Sequence, residues 1–183
     1  MMSNHKNILI ILFTLLSFSF AKERYITREV VISFFSSTPL EDIKAINKQV
    51  SCVLDKGTGE FAFQLPIKGF TFKNALMQEH FNESYLESDI YPKSVFKGKI
   101  LDWNTIQLSE NPTEVIIEGE LTIHGIMQKI KEPGKIWLSS KSIIGESNFN
   151  VKLVDYNIKV PKVVRSNIAE VINVNVSVQL NPR

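Results

Sequence analysis

Beyond its first twenty-one residues the chain alternates apolar and polar side chains with a period of two. Near the C-terminus, Ile172, Val174, Val176, Val178 and Leu180 alternate with Asn173, Asn175, Ser177 and Gln179. Val115, Ile117, Gly119, Leu121 and Ile123 share one parity against Glu118, Glu120, Thr122 and His124, with Ile116 out of phase. Phe149, Val151 and Leu153 oppose Asn150 and Lys152, and Phe96, Gly98 and Ile100 oppose Lys97 and Lys99. A period of two with one apolar parity predicts antiparallel strands that are dry on one face and wet on the other. Further strands are expected near 30–35, 94–101, 135–139 and 156–160.

One stretch changes face. Phe61, Phe63, Leu65 and Ile67 share a parity, while Phe70 and Phe72 share the other. A strand changes face only by gaining a residue, so a bulge or bend is expected at Lys68-Gly69. Asp55-Lys56-Gly57 just upstream predicts a tight turn with positive-φ positions. Helix signals are few. Thr38 and Pro39 in N-cap and N1 positions, followed by acidic residues, predict one short helix over 38–50. A second is expected from Ala75 to about Leu86, capped by Asn74. Eight to ten strands with two short helices define a mainly antiparallel barrel or sandwich.

The first twenty-one residues carry Lys6, an apolar run from Ile8 to Leu16, and Ser19-Phe20-Ala21. This is the layout of a secretory signal peptide over 1–21, removed to leave a single domain over 22–183 with no stable membrane span. An uncleaved anchor is the alternative. Export places the protein in the periplasm or outside the cell. Without Lys6 the 21 basic residues become twenty against 19 acidic ones, and such balance offers no basic face to nucleic acid. Cys52 is the only cysteine, so no intramolecular disulfide forms, and its phase with Val50 and Leu54 makes it a buried thiol.

The segment HFNESYLESDIYPKSVFKG, His80 to Gly98, is where chemistry would be sought. On a helix, Met77, Phe81 and Tyr85 form one stripe, with His80, Glu83 and Glu87 beside it. A metal site there lacks ligands, because only two histidines remain after cleavage and no thiolate is close. An amphipathic helix lying across a barrel is the better reading, and Tyr91-Pro92 ends it. No GxSxG, P-loop, HExxH or paired-carboxylate arrangement is present, so no catalytic residue and no metal site are assigned. A hydrolase using His80 or His124, with Asp155, is the weaker alternative. A turn role suits His124, beside Gly125 at a strand end.

The same segment resembles the most recognisable part of the YceI-like family. Met77, His80, Phe81, Asn82, Tyr85, Leu86, Tyr91, Pro92, Phe96 and Gly98 carry the likeness, with Gly119 to Gly125 and Phe149 to Pro161 following in order. The resemblance implies an extended, lipocalin-like, eight-stranded antiparallel barrel with one or two short helices, usually exported to the bacterial periplasm. It also implies an isoprenoid-binding or other lipid-binding role, as carrier or store of a long apolar, polyisoprenoid-like chain. The histidine-serine pair that many members carry in the first strand is absent here. Parity names Phe61, Phe63, Phe72, Phe96, Ile100, Ile117, Leu121, Ile123, Phe149, Val151, Val174 and Val176 as lining residues, with Phe81 closing one mouth. The partner is then an apolar lipid, with no other cofactor, and a homodimer is permitted. A structural or interaction barrel with a filled core is the alternative.

Overall fold

The computed structural model describes residues 24–182. The secretory signal expected over 1–21 lies outside the described residues. Among these, eleven strands form one antiparallel sheet: β1 Arg24–Thr27, β2 Val30–Ser37, β3 Asp42–Asn47, β4 Ser51–Asp55, β5 Glu60–Pro66, β6 Phe70–Phe72, β7 Lys93–Ile100, β8 Thr113–Ile123, β9 Ile126–Ser139, β10 Ser142–Lys152 and β11 Val171–Leu180. Their order is β1-β4-β5-β7-β8-β9-β10-β11-β2-β3-β6. The sheet is curled into a half-barrel, its apolar face turned inward. Helix α1, Ala75–His80, continues as a single π-helical turn over Phe81–Tyr85.

Eleven strands stand where eight were expected because the chain breaks three times. Tyr25 and Thr27 are buried in β1, but Val30 and Ile32 are buried in β2, so the inward parity switches across Arg28-Glu29. The neighbouring segment switches as well, from Ile43, Ala45 and Asn47 to Val50, Cys52 and Leu54. Side chains hold both breaks. Thr27 Oγ1 accepts from the Glu29 N–H at 2.9 Å, and Asn47 Oδ1 accepts from the Gln49 N–H at 2.8 Å. Such local bonds give the backbone an alternative to the ladder. The third break is the face change expected at Lys68-Gly69, present as a 3₁₀ turn over Ile67–Gly69. It lets Phe70 and Phe72 point inward like Phe61 and Phe63.

Three local expectations need correction. Residues 42–47 are strand β3, not a helix; Asp42 and Lys44 are exposed while Ile43 and Ala45 are buried, and period two overrode the capping signal. Thr38 caps a turn instead, its hydroxyl oxygen accepting from the Glu41 N–H at 3.1 Å. The segment 156–160 is not a strand. A 3₁₀ turn over Leu153–Tyr156 ends with Asn157 at φ 54°, which turns the chain away from the sheet. In the β4–β5 turn the positive φ falls on Gly59 at 72°. A Cβ there would lie 2.5 Å from the Trp103 ring, whose Nε1–H donates to the Lys56 carbonyl at 2.7 Å.

Asn47 is the most consequential polar side chain in this frame. It is fully buried, and its Nδ2 donates to the Pro66 carbonyl at 2.8 Å while its Oδ1 serves Gln49. It therefore ties the second break to the third. Asn47→Ala is expected to cost about 2–3 kcal/mol by urea unfolding, two hydrogen bonds of a fully buried side chain being lost. A loss below about 0.5 kcal/mol would show that the breaks hold themselves.

Candidate ligand cavity

The inward face does not fill the space it encloses. A cavity of about 510 Å³ runs inside the sheet, within the usual range for ligand sites. All thirteen residues named from parity, Phe81 included, border it. Sequence reasoning missed Phe34 and Phe70, whose rings also line it, along with Leu54 and Cys52, while Tyr85 borders it from the stripe it shares with Phe81. Phe34 could have been found from the parity of Val30 and Ile32; the next residue, Phe35, exposed on the outer face, hid the pattern.

The rings form two groups. At the mouth, Phe81 stacks on Phe34 at 5.5 Å and meets Phe70 and Phe72 at 5.5 and 5.0 Å. Deeper, Phe61 contacts Phe63 at 5.7 Å and Phe96 at 5.2 Å. Helix α1 delivers Phe81. Asn74 caps it by accepting from the Leu76 and Met77 N–H groups, as expected. Gln78 Oε1 accepts from the Phe72 N–H at 3.1 Å, tying the helix to β6. The π turn rotates the following residues so that Phe81 and Tyr85 both reach the cavity.

The depth of the cavity depends on two glycines. Gly98 and Gly119 face each other across β7 and β8, and the Phe96 ring lies over the pair. A Cβ at Gly98 would sit 2.5 Å from Phe96 Cζ and would collide with the Glu118 carbonyl. Gly98→Ala should cost about 1–3 kcal/mol through this overpacking. A melting curve matching the unsubstituted protein would mean that the ring has another place to go.

The histidines do not meet. His80 is exposed at the cavity edge, whereas His124 is buried in the β8–β9 turn. His124 and Gly125 have φ of 50° and 73°, the two positive values of a tight primed hairpin turn. His124 Nε2 lies 2.7 Å from Glu87 Oε2, and its Nδ1 lies 3.2 Å from the Tyr156 carbonyl. The Tyr91 ring packs edge-on against His124 at 4.5 Å and over Gly125. The histidine therefore ties the segment after the π turn, the β8–β9 turn and the chain after β10 together. Asp155, the third member of the hydrolase alternative, offers its backbone carbonyl to Gln128. Among the described residues no group of three or more His, Cys, Asp or Glu side chains could hold a metal ion.

Burial pushes the Cys52 thiol up to about 12, so it stays protonated and unreactive. Because the folded value is raised, its contribution to stability is complete below about pH 9 and is lost as pH rises toward about 12. A thiol reagent at pH 8 should leave native Cys52 unmodified and label it fully in urea. Rapid labelling of native protein would show that the cavity admits the reagent to a thiolate.

These features define a class: a curled antiparallel sheet around an apolar cavity, with a short helix across one mouth. The chain belongs to the YceI-like domain family, whose model matches residues 28–180. Among solved structures it resembles a polyisoprenoid-binding domain from Saccharophagus degradans implicated in plant cell wall breakdown, with 13% identity and a TM-score of 0.76. That match covers 88% of this chain and 99% of the other. BcnA from Burkholderia cenocepacia matches at 13% identity and a TM-score of 0.69, covering 82% and 95%. The Campylobacter jejuni YCEI protein matches at 19% identity and a TM-score of 0.61, covering 76% and 84%. No curated protein matches the sequence significantly.

Proposed function

We propose that this protein binds a long apolar, polyisoprenoid-like chain in its interior and acts as its carrier or store in the periplasm. The observation that carries this reading is the unfilled cavity, bordered by rings and aliphatic side chains from nearly every strand. Each methylene buried there contributes about 0.8 kcal/mol, so a slender hydrocarbon binds without a strong polar anchor. Family membership and the likeness to a polyisoprenoid-binding domain support the ligand class. They also favour a binding role over a catalytic one, and the filled-core alternative loses ground to the cavity itself.

In this reading the eleven strands act as eight long ones. Thr27 pairs with Cys52 and Ile32 with Asn47, so β1–β4 and β2–β3 keep one register across their breaks. β1 also runs into β2 through only Arg28 and Glu29, joining one end of the strand order to a strand near the other. Both features support a closed, lipocalin-like tube over the described residues, of a width that admits one slender ligand.

Protein purified from the exported fraction should give a polypeptide mass beginning at Lys22. Native mass spectrometry should add a hydrophobic molecule that organic extraction removes. Ile117→Asp, which places a charge in the wall, should abolish that adduct while keeping a strand-rich circular dichroism spectrum. Ligand-free protein that also refuses long-chain isoprenoids offered in detergent would end the lipid-binding reading.

A further inference from the structure

The apolar wall is interrupted at one seam. β9 and β10 pair from Ser139↔Ser142 to Lys135↔Glu146 and no further, although β9 begins at Ile126 and β10 runs to Lys152. The cause lies in the sequence. Their two-residue turn makes Ser139 and Ser142 a hydrogen-bonded pair, so by alternation the next positions to exchange bonds include Pro133, which has no N–H. The Ser147 hydroxyl donates to the Pro133 carbonyl at 2.7 Å instead. Beyond this point the strands part, and Ile130 and Glu132 of β9 border the cavity together with Phe149 of β10.

Glu132 is out of place in such a wall. It shares the parity of Ile130, and its partner across β8 is Ile117, itself a lining residue. Among the described residues no group donates a hydrogen bond to its carboxyl and no cation pairs with it. Lys135, at the same seam, is paired with Glu114 at 3.1 Å. Burial pushes the Glu132 carboxyl above its usual 4.5. Burial pushes the Tyr156 phenol up to about 12, and the carboxylates of Asp155 and Glu132 add to that shift. Glu132 is half-buried where the strands part, and its carboxyl, with no protein partner, is free to accept a hydrogen bond from what enters the cavity.

We propose that Glu132 receives the polar end of the bound chain and selects a hydroxyl-terminated isoprenoid over a phosphorylated one. The hydroxyl donates to the carboxyl at the seam while the hydrocarbon follows the phenylalanine-lined interior. A phosphorylated end would meet the like charge of the Glu132 carboxylate, with Lys135 already paired to Glu114. This inference rests on the lipid-binding reading and adds the chemistry of the head group.

The test titrates the full mature chain, by native mass spectrometry, with geranylgeraniol, its diphosphate and the hydrocarbon of equal length. The alcohol should bind about tenfold more tightly than either of the others. Glu132→Leu should bring the alcohol down to the affinity of the hydrocarbon, and Glu132→Gln, which still accepts a hydrogen bond, should keep most of the preference. Glu132→Leu should also melt no lower than the unsubstituted protein, because an unpartnered polar group has been removed. Equal binding of alcohol and hydrocarbon, tighter binding of the diphosphate, or a marked fall in melting temperature would overturn the assignment while leaving lipid binding intact. Failure of all three probes to bind would overturn the lipid-binding reading and this inference with it.

Discussion

Everything in this molecule follows from a sheet that is apolar on one face only. A flat antiparallel sheet of this kind must cover its dry face with a second layer, and the described residues supply only one short helix and a few single turns. Curling is the remaining solution, since it lets the dry face cover itself. The outer face then carries Lys97, Lys99, Glu118 and Glu120 on β7 and β8, and an asparagine network on β10 and β11. In that network Asn148 donates to Asn173 and Asn175.

A curled sheet must also decide how much of its interior to fill. Small residues decide it here. The glycine pair at 98 and 119 lets the Phe96 ring lie flat against the wall rather than across the axis. The 3₁₀ turn at Ile67–Gly69 brings two further rings, Phe70 and Phe72, under Phe81 at one mouth. The rings therefore cluster at the wall and the mouth and leave the space between them open.

Helix α1, across the mouth, is held by polar contacts at both ends. Asn74 and Gln78 secure its start. Its exit is secured by Glu87, which takes a positive φ of 43° and meets His124. Both nitrogens of that imidazole face acceptors, the Glu87 carboxylate and the Tyr156 carbonyl. The histidine that suggested chemistry thus works as a tie between three connecting segments at the helix end of the sheet.

The sequence by itself determined the inward parity of the long strands, the face change before Phe70, and the Asn74 cap. Each depends on neighbours a few residues apart, where backbone geometry dictates the outcome. It misled at 38–50, because a good N-cap is a local signal and the pairing of β3 with β2 and β6 is not. Only the tertiary structure decided that the segments before Val30 and Val50 break together and that His124 finds Glu87. It also decided that Pro133 opens a seam beside Glu132. These outcomes depend on which strands become neighbours, and contacts between residues distant in the chain exist only once the sheet has curled.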